Sequence, residues 1–396
     1  MCFSLTARQF HDFWFTRVTA ASLISLCLVC GVAPGQTAGK PSSTQPPSTD
    51  TSSPQNTGTK RRRGEFVIAP IPVSSPALGT GIIPVVGYIF RVDMEDQVSP
   101  PSVLGAAGLI TDNGSRAFAV AGQVYLKRDR YRLTSAFLQG NLNYNLYGIG
   151  VGAGNAGVKL PLTQEGSVFL GEILRRIKWQ LFVGPRIITG HSSIATRSNA
   201  DSGASVPPDI GLDTKLTSVG FEINRDTRDN RFFPRAGTMF EFTSDFFATA
   251  LGSKYSFQSY RTTFNKYWGL TNKQVLAYNA YLCATGGDPP FYGNCIYGTN
   301  NELRGYEAGR YIDRFMVATQ LEYRLSLPKR FGVVGFGGVG GVSPGARKFF
   351  YSNSFLPAGG GGIRFLLSKA YHVNLRADIA AGKNEHTVSM GISEAF

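Results

Sequence analysis

The stretch Arg314-Phe315-Met316-Val317-Ala318-Thr319-Gln320-Leu321-Glu322-Tyr323-Arg324-Leu325-Ser326-Leu327 alternates along its whole length. Arg314, Met316, Ala318, Gln320, Glu322, Arg324 and Ser326 share one face; Phe315, Val317, Thr319, Leu321, Tyr323, Leu325 and Leu327 share the other. Successive side chains of a strand point to opposite faces, so this is a strand with one apolar side and one ionisable side. Just before it lies a compact loop, Leu303-Arg304-Gly305-Tyr306-Glu307-Ala308-Gly309-Arg310. In a soluble sandwich the polar face would meet bulk water. A transmembrane barrel inverts the arrangement, with apolar residues against lipid and polar residues toward a lumen.

The rest of the chain fits the inversion. Its 396 residues suffice for two soluble domains or one large all-β unit. Hydrophobic residues make up 42%, and there are 47 glycines. Beyond the first 40 residues there is no long apolar run, so that average comes from alternating strands rather than helical spans. About sixteen alternating segments separated by turn residues lie between Phe66 and Ala395, with no convincing helix beyond Glu65. The number is even, as single-chain bacterial barrels require. Counted back from Phe396, the long connections Asn143 to Gly166, Gly190 to Asp213, Thr285 to Asp313 and Val342 to Ala358 fall at one end. The tight links Lys127 to Arg130, Arg175 to Lys178, Leu270 to Lys273 and Pro328 to Arg330 fall at the other. That is the sorting of outer loops from periplasmic turns. One long link, Asp226 to Gly237, falls on the short-turn side.

Residues 1–38 read as a secretory signal peptide: Arg8 and Arg17 precede an uncharged run from Val18 to Ala33, short for a membrane span. Residues 39–64 form a Pro/Ser/Thr-rich linker too polar to fold, ending in Lys60-Arg61-Arg62-Arg63. Residues 65–396 are the expected outer-membrane β-barrel. The net charge of +14 suits nucleic acid, anionic lipid or an anion-favouring lumen. No basic helical face or RNA-binding signature accompanies it, so nucleic acid is set aside.

Three local features carry further expectations. Pro70 and Pro72 each remove a ladder donor from the first strand, which weakens its seam with the last; a strand that begins only at Gly81 is the alternative. Cys283 and Cys295 flank Gly286-Gly287-Asp288-Pro289-Pro290, which fits a loop-closing disulfide in an oxidising compartment or two free thiols. The last strand is read through Ala395, with Val388, Met390, Ile392 and Phe396 on the lipid-facing register. An aromatic there resembles the C-terminal signal by which outer-membrane barrels reach their assembly machinery.

A family resemblance follows from several motifs together. Arg225-Asp226-Thr227-Arg228-Asp229-Asn230, running to Phe233-Pro234-Arg235-Ala236-Gly237, resembles the Asp-rich, Pro-x-x-Gly turn of the bacterial surface-antigen barrels, the BamA/TamA outer-membrane superfamily. Leu303-Arg304-Gly305-Tyr306 is similar to that family's Val/Leu-Arg-Gly-Phe/Tyr loop motif, and Gln320-Leu321-Glu322-Tyr323-Arg324 to the strand after it. Gly360 to Arg364, with Asn374-Leu375-Arg376-Ala377-Asp378, looks like the closing strands. The resemblance covers Glu65 to Phe396. It implies a sixteen-stranded barrel, an extracellular loop folded into the lumen, a weak first-to-last seam, and insertion or export of other β-rich proteins. The implied partners are outer-membrane lipid, client outer-membrane or secreted proteins, and the barrel assembly machinery. The sequence departs from the family pattern in showing no periplasmic polypeptide-binding domain between linker and barrel.

Within that frame Arg304, with Gly305 and Tyr306, is the expected loop lock. A guanidinium sunk in a barrel interior needs a carboxylate, and Glu322 or Asp378 is expected to supply it, with Arg324 and Arg376 flanking them. Alternatively these four charges satisfy one another and Arg304 meets backbone carbonyls. The periplasmic turn motif is Asp226, Asp229, Pro234 and Gly237.

Two motifs match known chemistry in letters alone. Gly341-Val342-Ser343-Pro344-Gly345 has the spacing of a nucleophile elbow, but Pro344 and a loop follow it, and His191, His372 and His386 are scattered. Gly335-Phe336-Gly337-Gly338-Val339-Gly340 lacks the following helix of a dinucleotide site; glycines in a strand instead admit a close backbone, and the inserted loop is expected to rest there. No metal or cofactor site is expected. The leading reading is a non-enzymatic barrel that assists protein insertion or translocation; the alternatives are a passive anion-favouring pore and an outer-membrane hydrolase.

Overall fold

The computed structural model describes residues 64–396 apart from residues 76–78, 97, 101, 198–212, 231–232, 299–301, 352–354 and 369–371. The expected signal peptide, and the linker up to residue 63, lie outside the described residues.

Sixteen strands form one antiparallel sheet in which each pairs with its neighbours in sequence. They are β1 (Gly64–Ser75), β2 (Gly79–Phe90), β3 (Ser102–Thr111), β4 (Arg116–Leu126), β5 (Tyr131–Leu146), β6 (Leu160–Arg176), β7 (Leu181–Thr196) and β8 (Asp213–Asp226). The series continues with β9 (Gly237–Phe247), β10 (Phe257–Gly269), β11 (Gln274–Gly287), β14 (Phe315–Ser326), β15 (Phe331–Ser343), β16 (Leu356–Ser368), β17 (Val373–Gly382) and β18 (Glu385–Ile392). The long loop between β11 and β14 holds a two-residue ladder of its own, β12 (Cys295–Ile296) with β13 (Ile312–Asp313).

The exposure pattern of β14 settles the inversion. Met316, Ala318, Gln320, Glu322 and Arg324 are each 2% exposed or less, whereas Leu321 is 46% and Tyr323 38% exposed. Charged residues are inside and apolar ones outside, the reverse of a soluble sandwich. The rest of the wall repeats it: Phe118, Ile173, Val219, Ile363 and Val388 face outward while Glu172, Arg186, Glu222 and Asp378 face inward. The chain is therefore a transmembrane antiparallel β-barrel.

At the long-loop end the structure corrects the expected connections. β5 and β6 run 16 and 17 residues, so much of the segment from Asn143 to Gly166 is strand. β16 likewise begins at Leu356, inside the expected connection from Val342 to Ala358. Toward this end the inward face turns apolar: Leu142, Tyr144, Leu146, Leu160 and Leu162 pack with Ile194, Phe291, Tyr292 and Ile312 into a buried cluster. That switch hides the polar-in, apolar-out signature and makes the strand ends look like loop. Among the described residues two short α-helices also appear where none was expected, α1 (Val151–Ala156) and α2 (Ala346–Phe349). Six and four residues are too few to show a 3.6-residue period.

The seam between the first and last strands differs from every other junction. β1 pairs with β2 in unbroken register from Gly64↔Phe90 to Ser75↔Gly79, prolines included, so the first strand does not begin at Gly81. β1 lies alongside β18. Among the described residues, no ladder pair joins the two.

The chain's last residues are a further correction. β18 ends at Ile392 rather than Ala395. Ser393 adopts a left-handed backbone (φ 65°) and donates its N–H to the Asn374 carbonyl at 2.7 Å, which ends the alternation and turns the following residues inward. Phe396 is consequently 4% exposed, clustered with Tyr267 and Ala277 inside the barrel rather than on the lipid face. Phe396→Ala should cost about 3 kcal/mol, as for other buried aromatics. The urea midpoint of protein refolded into detergent micelles measures this, and an unchanged midpoint would contradict the inward seat of the ring.

Candidate functional site

The loop between β11 and β14 enters the barrel because its anchors and its landing surface are both built for it. At its start, Cys283 on β11 is disulfide-bonded to Cys295, tying the loop to the wall. Further along, the Tyr297 hydroxyl donates to the Leu356 carbonyl at 2.8 Å. The Tyr306 hydroxyl donates to the Pro357 carbonyl and accepts from the Lys383 N–H at 3.0 Å. The Tyr297, Tyr306 and Tyr311 rings pack against one another. Burial pushes the Tyr297 phenol well above its ordinary range, so it remains a donor at physiological pH.

Glycine makes the space. Gly305 has φ +119°, and a Cβ there would lie 2.9 Å from the Ala358 Cβ. On β15, a Cβ at Gly338 would lie 2.5 Å from the Leu303 side chain and one at Gly340 2.7 Å from the Tyr297 ring. The glycine run that mimics a dinucleotide fingerprint is thus the surface on which the loop lies.

Held this way, Arg304 reaches the inner wall, where it is 1% exposed. Its Nη1 donates to Asp378 Oδ2 at 2.8 Å, its Nη2 to Glu322 Oε2, and its Nε to Gln320 Oε1 at 3.1 Å. The guanidinium carbon sits 3.4 Å from the centre of the Phe336 ring, a cation–π contact. Arg304 thus engages both candidate carboxylates, and not backbone carbonyls in their place. Arg324 donates Nε to Glu322 Oε1 at 2.7 Å, and Arg376 donates Nη1 to Asp378 Oδ2 at 3.2 Å.

Sequence reading missed two charged members. Arg364 bridges Asp378 Oδ1 and Glu394 Oε2, the latter at 2.7 Å, and Glu394 also accepts from Asn374 Nδ2 at 2.7 Å. Arg364 carried a visible signal, standing on the inward register of the Gly360 to Arg364 segment; Glu394 lies beyond the last strand, where alternation gives no guide. Arg304, Arg324, Arg364 and Arg376 face the carboxylates of Glu322, Asp378 and Glu394, all buried. Such a cluster is a poor source of stability relative to apolar packing but costly to break. Its geometric effect is to fasten the loop to β14, β16 and β17 together.

A second set of contacts fastens the loop's outer end. Tyr147 Oη donates to Glu307 Oε2 at 2.6 Å, and Arg310 pairs with Glu385 at 2.6 Å and donates to the Gly154 carbonyl at 2.9 Å. Burial and the adjoining Glu307 carboxylate raise the Tyr147 phenol well above its usual range.

The remaining predicted residues lie elsewhere. The turn motif sits at the short-turn end: Asp229 Oδ1 accepts from the N–H groups of Asn230 (2.9 Å), Arg235 (2.9 Å) and Ala236 (3.2 Å), while Asp226 holds Arg228 in a two-point ion pair. Pro234 is buried. Gly237 has φ +99°, and a Cβ would lie 2.2 Å from the Thr227 carbonyl. Ser343 is 1% exposed and donates to the Gly345 carbonyl at 3.0 Å.

Comparison with known proteins agrees with this geometry. Residues 118–390 match the family model of the Omp85 superfamily domain. No curated protein sequence matches the chain. Among solved structures, the chain is similar to BamA from Haemophilus ducreyi lacking POTRA domains 1-3 (14% identity, TM-score 0.55), covering 84% of this chain and 70% of that one. It is also similar to CdiB from Acinetobacter baumannii (12%, TM-score 0.53; 84% and 60% covered) and CdiB from Escherichia coli (11%, TM-score 0.56; 85% and 63% covered). The chain thus spans less than two thirds of either CdiB chain, and at these identities the likeness is one of fold.

Removing Arg304 leaves two buried carboxylates short of a partner, so Arg304→Ala should destabilise the barrel by about 3–5 kcal/mol. Gly338→Leu, which blocks the landing surface, should cost about 1–3 kcal/mol. Urea midpoints read both, and two unshifted midpoints would mean that the loop does not rest in the lumen.

Proposed function

The chain belongs to the Omp85 superfamily, and from that membership we propose that it is an exported outer-membrane barrel that assists the insertion or translocation of other proteins through its β1–β18 seam. The observation that carries this reading is the unladdered junction: β1 and β18 lie side by side, yet no described ladder pair joins them. In hydrocarbon an unsatisfied backbone group costs several kcal/mol, so two such edges favour any strand that can pair with them. Pairing through main-chain groups is nearly independent of sequence, which suits a machine that handles many clients. Pro70 and Pro72 limit how well β1 can seal against β18, because neither can donate.

The lumen supports the same reading by being blocked. The Arg304-anchored loop crosses it, and the apolar cluster around Leu142, Tyr144 and Leu162 closes its extracellular end. A large, steady, anion-selective pore therefore has no favouring observation despite the net charge of +14. In this reading the clients are unfolded outer-membrane or secreted proteins, and an N-terminal signal peptide delivers the chain to the membrane.

The test is reconstitution of the full chain into vesicles with an unfolded β-barrel client. The wild type should accelerate client folding. Cysteines paired between residues 66–72 of β1 and 386–390 of β18 should abolish the acceleration when oxidised and restore it when reduced. In planar bilayers the wild type should give small, flickering conductance, and Arg304→Ala larger openings. Large steady anion-selective channels with no acceleration of the client would sink the proposal in favour of a passive pore.

A further inference from the structure

The short-turn mouth of the barrel holds a cavity of about 290 Å³, directly beneath the Arg304 cluster. Its charged lining, among the described residues, comprises Arg235, Arg324, Lys329, Arg330, Arg364 and Glu394. Five cations and one carboxylate thus line it; that carboxylate is engaged by Arg364 Nε and Asn374 Nδ2, both at 2.7 Å, and behind the lining Arg324 also meets Glu322 and Arg364 meets Asp378.

The two innermost guanidinia are almost fully buried, Arg324 at 2% and Arg364 at 3% exposed, and neither has its donors fully engaged. Arg324 uses Nε on Glu322 and Nη2 on the main-chain oxygen of Phe396, the last residue of the sequence, at 2.8 Å, and its Nη1 is buried without a hydrogen bond. Arg364 uses Nε on Glu394 and Nη1 on Asp378; its Nη2 makes no hydrogen bond, and its ion-pair oxygen, Glu322 Oε2, is 3.7 Å away. Both residues straddle Glu394, since Arg324 Nε is 3.8 Å from the same Oε2 that Arg364 binds. Buried N–H groups on a cation are strong donors, and these two have no acceptor.

We propose that this cavity binds a phosphate group. A dianion with several acceptor oxygens can take a donor from each guanidinium and the two flexible cations of the β14–β15 turn, Lys329 and Arg330, which are exposed at the rim. A single carboxylate would satisfy one fork and leave the other donors open. Leu327 and Phe331, 40% and 55% exposed, flank the mouth at the ends of β14 and β15, so the lipid-facing wall begins at the cavity's edge. The phosphate can therefore come from a headgroup in the adjoining leaflet or from free phosphate in the periplasm. The site stands on its own observations and does not depend on the seam.

The experiment measures binding of radiolabelled inorganic phosphate by the full chain in nonionic detergent, with equilibrium dialysis at fixed ionic strength. A second arm reads the ³¹P line width of phosphatidic acid in vesicles of phosphatidylcholine with and without the barrel. Arg324→Gln and Arg364→Gln should remove binding. Because they also open the buried cluster, the double variant Lys329→Gln/Arg330→Gln, confined to an exposed turn, is the decisive one, and it should weaken binding roughly tenfold. Saturable phosphate binding that the double variant weakens assigns the free anion. Line broadening of phosphatidic acid alone, lost in the double variant, assigns the headgroup. No binding in either arm, or equal binding by wild type and double variant in both, overturns the proposal.

Discussion

The fold depends most closely on one guanidinium shared between two carboxylates that belong to different strands. Arg304 arrives from a loop, Glu322 from β14 and Asp378 from β17, and each is 1% exposed or less. None of the three can be buried alone, because a lone charge in a low-dielectric interior is far more costly than any single packing contact repays. The requirement for partners fixes loop and strands relative to each other, and the Phe336 ring beneath the guanidinium fixes the depth. Glycines at 305, 338 and 340 follow as consequences, since they remove side chains from the path the loop must take.

The same constraint explains which features could be read from the residue string. A strand with one lipid face and one lumenal face alternates strictly, so the segments in mid-membrane are legible, as are the tight turns that separate them. Arg304, Glu322 and Asp378 were legible too, because a loop arginine beside inward-facing acids has few other ways to be satisfied. Alternation loses its meaning where the environment ceases to be two-sided. Toward the long-loop end the inward positions Leu142, Tyr144 and Leu146 are apolar, and the strands there resemble connections. After Ile392, the left-handed backbone of Ser393 redirects the chain, so Glu394 and Phe396 join the interior where a continued strand would place Phe396 on lipid. Both errors have one cause: a period of two reports a face only while the strand and its surroundings persist.

The two ends of the lumen are closed by different physics. At the long-loop end the closure is apolar, with rings and leucines packed with the loop. At the short-turn end it is ionic, with Arg324, Arg364, Glu394 and the main-chain oxygen of Phe396 interlinked. An apolar closure excludes water and ions alike and responds little to charge. An ionic closure holds its members by mutual need, since removing one charge leaves its partners buried and unpaired.

Closing the lumen also shifts the burden of movement onto the wall. Fifteen junctions carry ladders, and opening any of them would expose paired backbone groups to hydrocarbon at several kcal/mol each. The β1–β18 junction has no described ladder to lose, so it is the place where the wall can part at least cost. The loop lock sharpens that asymmetry by tying β14, β16 and β17 through one charge cluster, which stiffens the wall leading up to β18. A stiff arc that ends at a junction without a described ladder concentrates deformation at that seam.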